Sequence, residues 1–129
     1  MVDDNEAERR LARECFEMSD LENPWLEFDG GPAFLNHLED IKRKGAPMPA
    51  VVLLDINMPQ MNGFEVLGAL RQDPYFERLP VRVMLTNSNN PDDIQKAKAL
   101  GASGYYSKPD GVLDYVALFN GLGDTSTAG

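Results

Sequence analysis

Polar side chains that can bind cations or phosphate stand directly after several candidate strands in this sequence. Asp55 follows the apolar run 50–54, and Thr86 and Lys108 follow two further candidate strands, at 81–85 and 104–107. Asp3 and Asp4 follow the first two residues in the same way. Because the carboxyl ends of parallel strands meet at one edge of a sheet, these five side chains should converge there if the runs are parallel strands.

The charges of these side chains indicate which chemistry such a group can do. Neighbouring carboxylates repel one another, so a cation must neutralise them, and Mg²⁺ prefers oxygen ligands and needs few protein groups. Lys108 supplies a mobile positive charge, and Thr86 has a hydroxyl that can donate to a phosphoryl oxygen. Asp55 is then the candidate nucleophile, with an aspartyl phosphate as its product, because phosphoryl transfer needs mainly alignment and charge neutralisation.

The elements that would position these side chains alternate along the chain. Helical periodicity, capping residues and short apolar runs predict helices at 6–18, 30–41, 64–71, 90–100 and 112–122, and strands at 25–28, 50–54, 81–85 and 104–107. This alternation predicts an α/β fold, a parallel sheet with helices on both faces. Only Met1 and Val2 precede the first acidic residues, so the first strand is truncated or absent. Either residues upstream of Met1 supply it, or the fold is rearranged.

Length and composition fit one domain. The 129 residues predict a domain at 1–122 and a polar, disordered tail at 123–129. The net charge of -9 argues against a nucleic-acid partner. A single cysteine, Cys15, cannot form an internal disulfide and favours a reducing compartment. No apolar run approaches the roughly 20 residues of a membrane span and no signal peptide is visible, so a cytoplasmic location is expected.

Four stretches, taken in order, carry a specific resemblance: VDDN, LLDINMPQMNGFEVL, VRVMLTNS and GASGYYSKP. Over nearly its whole length the chain resembles the receiver domain of bacterial two-component response regulators. The region 42–49 and the stretch RQDPYFERLPVRVMLTNS are most similar to the stand-alone phytochrome-associated subgroup. The resemblance implies a flavodoxin-like, doubly wound parallel sheet with strand order 2-1-3-4-5. It also implies a signalling protein, not an enzyme, that catalyses only its own phosphorylation and dephosphorylation.

The resemblance further implies a role for each matching residue. Asp55 accepts phosphate from a phosphohistidine on a sensor histidine kinase or a histidine phosphotransfer protein, assisted by Thr86 and Lys108. The implied Mg²⁺ ligands are Asp3, Asp4, Asp55 and the main-chain carbonyl of Asn57. Thr86 and Tyr105 match the switch pair, and the side chains at 57 and 88 match positions that tune the phosphate lifetime. Lys108–Pro109 is a candidate cis peptide.

Besides the short first strand, two residues depart from the family pattern. Asn87 stands where a small residue is usual, and it would narrow access to the phosphate or donate to it. Asp110 follows Lys-Pro where an apolar residue is usual, which places a carboxylate near the output surface.

Three functions of different classes fit the sequence. The leading one is a stand-alone phosphoacceptor module, because the tail after Leu122 leaves no room for an output domain. Its output would pass through an unknown downstream protein, onward phosphotransfer, or a homodimer formed through the last helix and strand. The alternative is a phosphorylation-independent pseudo-receiver that acts as a protein-binding adaptor. A phosphatase of the haloacid dehalogenase type fits worst, since it needs an acid two residues after the nucleophile and Asn57 stands there.

Overall fold

The structure, a computed structural model, describes residues 1–79, 81–87, 90–109 and 111–128, with side chains described for all of these except 81 and 123–128. In chain order the helices are α1 (Glu6–Met18), α2 (Gly31–Lys44), α3 (Gly63–Gln72), α4 (Pro91–Ala99) and α5 (Val112–Ala128). The strands are β1 (Val51–Leu54), β2 (Val81–Thr86) and β3 (Gly104–Ser107), and a short 3₁₀ helix covers Phe76–Arg78.

The three strands form a parallel sheet in the order β1, β2, β3, with Leu54 opposite Met84 and Met84 opposite Tyr105. Two single residues extend this sheet, because Val2 bridges in parallel to Leu54 on one side and to Phe28 on the other. Across the sheet the order is Phe28, Val2, β1, β2, β3. This is 2-1-3-4-5 when the two bridging residues are counted as the first and second strands. The flavodoxin-like α/β fold is confirmed, with a first strand that is reduced to one bridging residue.

The strand predicted at 25–28 is likewise reduced to Phe28. Its N–H donates to the Met1 carbonyl (2.9 Å), and its own carbonyl accepts from the Asp3 N–H (3.1 Å). The Met1 amino group donates to the Leu26 carbonyl at 2.8 Å. The ladder described by these bonds reaches from Leu26 to Phe28, and Phe28 is its bridging residue.

Most helix boundaries agree with the sequence. Residues 6–18 are helical as predicted, and α3 starts at Gly63, where Asn62 and Glu65 form a capping box. α5 continues to Ala128, so the predicted end of the last helix at Leu122 is wrong. Polar composition alone does not end a helix, because the main-chain hydrogen bonds can continue. The division into a domain and a tail stays a prediction.

A second correction concerns the candidate cis peptide at Lys108–Pro109. No peptide bond in the described ranges is cis, so this expectation is wrong. The trans isomer is the lower-energy form of a bond that precedes proline, so it needs no special explanation.

Helices cover both faces of the sheet. Leu54 faces one core cluster, shared with α2, α3 and α4, and Leu53 faces a second cluster, shared with α1 and α5. This alternation follows from the two-residue period of a strand. Cys15 lies in the second cluster as a buried, free thiol. In the part of the chain that the structure describes, no helix is both long enough and apolar enough to cross a membrane.

Candidate functional site

Three carboxylates converge at the carboxyl edge of the sheet. Asp3, Asp4 and Asp55 each offer an oxygen that lies within 4.8 Å of the others. Asp3 and Asp55 are buried and Asp4 is exposed. The Lys108 ammonium lies 2.9 Å from Asp3 Oδ2 and 3.5 Å from Asp55 Oδ2. The predicted convergence of these four side chains is therefore what the structure contains.

Main-chain hydrogen bonds from both neighbouring segments place Asp3. The Val2 N–H donates to the Leu53 carbonyl (2.8 Å), and the Val2 carbonyl accepts from the Asp55 N–H (3.0 Å). The Asp3 N–H donates to the Phe28 carbonyl (3.1 Å) on the other side. These bonds give the short segment a strand geometry and hold Asp3 beside Asp55.

Two residues that the sequence reading missed also fix Asp3. The Asn5 N–H donates to Asp3 Oδ1 at 2.9 Å, and Asn5 in turn caps α1 by accepting from the Glu8 N–H. An aspartate two residues before a capping asparagine is a recognisable turn signal, so Asn5 could have been found. Arg9 donates to the Asp3 carbonyl at 2.6 Å, and no sequence pattern indicates this contact.

The turn after β1 fits closely around Asp55. A Cβ atom at Gly63 would lie 2.5 Å from the Asp55 carbonyl oxygen and 2.8 Å from the end of the Met84 side chain. Glycine is thus required at 63 for the close approach of α3 to the strand end. The left-handed residue of this turn is Gln60, with φ 68°. The side chain of Met58, in the same turn, is buried in the first core cluster.

The electrostatics of Asp55 follow from its surroundings. Burial, reinforced by the Asp3 carboxylate, raises the pKa of Asp55 to about 6, against the opposing effects of Lys108 and of the Asn57 main-chain N–H. Burial alone would lower the pKa of Lys108, but its contact with Asp3 and the charges of Asp55 and Glu8 outweigh burial and raise it. The ammonium meets Asp3 as an ion pair, not as an aligned hydrogen bond. One lysine therefore only partly neutralises two buried carboxylates.

The ends of the next two strands complete the edge. Thr86 is fully buried at the end of β2, and its carbonyl accepts from the Lys108 N–H at 2.8 Å. Tyr105 lies two residues before Ser107, the residue opposite Thr86, and it is half-buried against the first core cluster. Asn87 is exposed next to Thr86. The positions 88 and 110, each given a role on the sequence, lie outside the described residues.

A further polar contact links this edge to α5. The Tyr115 hydroxyl donates to Glu8 Oε2 at 2.7 Å, and the ring of Tyr115 is fully buried. Burial, together with the bond to Glu8, raises the pKa of Tyr115. The sequence reading missed this pair because 107 residues separate its members.

The donor set fits a divalent cation. It consists of three carboxylate oxygens that lie within 4.8 Å of one another. Two of them belong to the buried residues Asp3 and Asp55, and the third belongs to Asp4, which is exposed to water. Hard cations such as Mg²⁺ and Mn²⁺ favour oxygen ligands and retain water in this kind of site. Asp3, Asp4 and Asp55 are the residues that would hold the ion.

Comparisons with known proteins agree with this geometry. A model of the response regulator receiver domain matches residues 1–117. Response regulator Rcp1 of Synechocystis sp. is 31% identical over 123 residues, which cover 95% of this chain and 83% of that protein.

Solved structures show the same similarity. The Mn²⁺-bound form of Rcp1 aligns with a TM-score of 0.78 at 30% identity, over 94% of this chain and 87% of that one. The phosphorylated cyanobacterial phytochrome response regulator RcpA aligns with a TM-score of 0.83 at 28% identity, over 98% and 90%. The predicted likeness to phytochrome-associated regulators is confirmed. This chain belongs to the receiver domain family of two-component response regulators.

Proposed function

We propose that this receiver accepts a phosphoryl group on Asp55 in a Mg²⁺-dependent reaction and signals by changing its protein-contact surface. The donor is a phosphohistidine on a sensor histidine kinase or a histidine phosphotransfer protein, the kinds of partner with which receiver domains interact. The protein would act as a stand-alone regulator in the cytoplasm.

One observation carries this proposal. Asp55 stands at the strand end with two further carboxylates within 4.8 Å and with a lysine 3.5 Å from its Oδ2. A buried carboxylate that only capped a turn would not need two acidic neighbours, because their repulsion raises its pKa and costs stability. The grouping is explained if a cation and a phosphoryl group share the site.

The chemical step is an in-line displacement at phosphorus. An Asp55 carboxylate oxygen forms a bond to phosphorus while the bond from phosphorus to the donor's imidazole nitrogen breaks. The electron pair leaves with the imidazole, which takes up a proton from solvent. Because the pKa of Asp55 is about 6 before a cation binds, most of this carboxylate is already ionised at neutral pH.

The chain's own residues supply the alignment. Lys108 lies where it can contact a phosphoryl oxygen on Asp55, and its raised pKa keeps it charged. Thr86 stands at the neighbouring strand end, where its hydroxyl can donate to a second phosphoryl oxygen. A bound Mg²⁺ would neutralise charge on the transferring group, with Asp3, Asp4, Asp55 and the Asn57 carbonyl as its protein ligands.

The response would pass through Thr86 and Tyr105. Phosphate draws the Thr86 hydroxyl towards Asp55, and the half-buried Tyr105 ring moves into the space that is left. The surface formed by α4, β3 and α5 then differs between the two states. Phosphate shifts this equilibrium only by its differential contacts with them. That surface would bind a downstream protein or a second copy of the chain.

A phosphodonor experiment tests the proposal. The protein is incubated with acetyl phosphate, with and without Mg²⁺, and its intact mass is measured. We expect a gain of one phosphoryl group that requires Mg²⁺ and is abolished in Asp55→Asn. The matched control is Asp114→Asn, an exposed aspartate on α5, which should be phosphorylated as the unsubstituted protein is.

Two results would contradict it. A folded protein that gains no phosphoryl group at any Mg²⁺ concentration favours the phosphorylation-independent adaptor. Continuous release of phosphate from small phosphate monoesters favours the phosphatase.

A further inference from the structure

Arg9 connects the acidic edge of the sheet to Glu27, an acidic residue outside the carboxylate cluster. Its Nη1 donates to the Asp3 carbonyl oxygen at 2.6 Å, and its Nε lies 3.5 Å from Glu27 Oε1. The side chains of Arg9 and Glu27 are only 16% and 20% exposed. Because the guanidinium is a rigid planar fork, contacts on two of its nitrogens fix its orientation.

Glu27 is itself held in place by two further donors. Its Oε2 accepts from the Trp25 indole N–H at 2.9 Å and from Arg13 Nη1 at 2.7 Å. The Trp25 ring packs against Phe16 and Phe119, with ring centroids 4.8 Å and 5.7 Å away. These contacts anchor the Glu27 carboxylate to the second core cluster, so Arg9 is held by a group that does not belong to the site.

The bond from Arg9 orients the peptide group that joins Asp3 to Asp4. A peptide group is planar, so the direction of the Asp3 carbonyl also sets the direction in which the chain enters Asp4. The preceding peptide group is fixed as well, because the Asp3 N–H donates to the Phe28 carbonyl at 3.1 Å. With both of its main-chain groups held, Asp3 has little freedom in φ and ψ, and the two carboxylates leave the backbone in defined directions.

The charge of Arg9 would by itself work against a cation site. A guanidinium near three carboxylates competes with a divalent cation for them and repels it. Glu27 offsets this charge at 3.5 Å, and Arg13, its other basic partner, is 44% exposed and therefore screened by water. Arg9 contacts Asp3 at the main-chain oxygen, so the carboxylate oxygens stay available for a cation.

We propose that Arg9 is a positioning residue for the divalent cation and that Glu27 holds it in that role. Arg9 fixes the Asp3–Asp4 peptide before the cation arrives, so that the two carboxylates need little rearrangement to bind it. This inference rests on the proposed Mg²⁺-dependent function and identifies residues that set the cation affinity of that site. Groups that orient metal ligands from outside typically contribute about 10–100-fold to metal affinity.

Titration with Mn²⁺ alone tests this role, with the electron paramagnetic resonance signal of the free ion as the measure of binding. Mn²⁺ takes the same oxygen ligands as Mg²⁺. We expect Arg9→Gln to weaken Mn²⁺ binding by about tenfold. Electrostatics alone predict the opposite sign, since the loss of a positive charge favours a cation. The matched control is Arg13→Gln, which removes the other arginine bound to Glu27 and spares the bond from Arg9 to Asp3. This control should bind Mn²⁺ as the unsubstituted protein does.

The Mg²⁺ dependence of phosphorylation by acetyl phosphate gives a second readout. In Arg9→Gln, the Mg²⁺ concentration at half-maximal rate should rise by about tenfold, while the rate at saturating Mg²⁺ stays within about twofold of that of the unsubstituted protein. Glu27→Gln, which keeps an acceptor for the Trp25 N–H, should raise the same concentration by a smaller factor. It provides the test if Arg9→Gln does not fold.

Three outcomes overturn the proposal. Unchanged or tighter Mn²⁺ binding by Arg9→Gln would show that the carbonyl contact does not preorganise the ligands. An equal loss in Arg13→Gln would assign the effect to the charges around Glu27. A loss confined to the rate at saturating Mg²⁺ would place Arg9 in the transfer step instead. A protein that binds Mn²⁺ but gains no phosphoryl group contradicts the proposed function and leaves the Mn²⁺ comparison intact, because that measurement needs no phosphodonor.

Discussion

The two ends of the sheet differ in what they contain and in how completely it is packed. At the carboxyl end, three carboxylates and Lys108 lie within a few ångströms of one another, and the space around Asp55 is so tight that only glycine fits at position 63. At the amino end, two apolar core clusters border a cavity of about 410 Å³. The carboxyl end is charged and closely packed, whereas the amino end is apolar and contains a cavity.

This difference shows how unequally the carboxylates are supported. Asp55 follows a four-residue strand with a partner along its whole length. Asp3 follows a segment in which Val2 is the bridging residue, and its place depends on a few main-chain bonds and on contacts from Asn5 and Arg9. The half of the cluster that Asp3 supplies is therefore the part most sensitive to changes at the amino end.

The largest expected effect comes from removing the cation of the charged end. Lys108→Met leaves the carboxylates of Asp3 and Asp55 buried without their ion-pair partner, and such a loss typically costs about 3–5 kcal/mol. The metal-free variant should unfold at a much lower urea concentration, and Mg²⁺ should recover more stability in it than in the unsubstituted protein.

Lys42→Met is the matched control for this prediction. Lys42 forms an ion pair with Asp73 that is partly exposed to solvent, and its loss should have a much smaller effect. Equal destabilisation by the two substitutions would mean that the charged end does not depend on Lys108 for neutralisation.

A smaller effect is expected from a methyl group added at the tightly fitted end. In Gly63→Ala, the new Cβ would meet the Asp55 carbonyl at 2.5 Å, and overpacking of this kind costs about 1–3 kcal/mol. Because the displaced atom belongs to the backbone that carries the nucleophile, phosphorylation by acetyl phosphate should also slow.

Gly68→Ala provides the contrast within the same helix. A Cβ there meets nothing within 4 Å, so alanine should stabilise α3 by about 0.5–1 kcal/mol and leave phosphorylation unchanged. If both substitutions stabilise the protein, the close packing around Asp55 is not the constraint described above.

The charged end should also give the metal-free protein a specific pH dependence. The pKa of Asp55 is raised from 3.8 to about 6, so the folded state binds this proton more tightly than the unfolded state does. The stabilisation that this bound proton gives the folded state is present below about pH 4 and is lost as the pH rises through 6. Asp55→Asn cannot ionise, so the difference between the two urea midpoints isolates this effect. A difference that stays constant from pH 4 to 7.5 would contradict the raised pKa.

The charged end was largely predictable from the sequence and the apolar end was not. Asp55, Thr86 and Lys108 each stand at or directly after the end of a strand, and the alternation of elements fixes them at one edge of a parallel sheet. A cavity leaves no such local signal, because it depends on which distant segments fail to meet. The sequence indicated a short first strand, but not that the strand at 25–28 would be reduced to Phe28 in consequence.

Within the site, the contacts that could not be predicted from the sequence are those that depend on packing between elements. Periodicity and capping predict where α1 and α3 begin, but not that Arg9 binds the Asp3 carbonyl or that Gly63 touches the Asp55 carbonyl. Such contacts need the relative positions of whole elements. The roles of Asn57, Thr86 and Tyr105 came from resemblance and stay predictions until a phosphorylated form is measured.

The smallest expected effect concerns the bond that links the charged end to α5. Tyr115→Phe removes the hydroxyl that donates to Glu8 without changing the ring, so it should cost about 1 kcal/mol. This difference in stability between the variant and the unsubstituted protein should disappear in strong alkali. The folded state raises the pKa of Tyr115, whereas the unfolded chain releases that proton near pH 10. Stability of the unsubstituted protein therefore falls above about pH 10, and the phenylalanine variant escapes this part of the decline. Tyr106→Phe, at a half-exposed ring, is the control and should leave the urea midpoint at neutral pH unchanged. Matching slopes for Tyr115→Phe and the unsubstituted protein would show that the hydroxyl ionises as freely in the fold as out of it, and that Glu8 does not hold it.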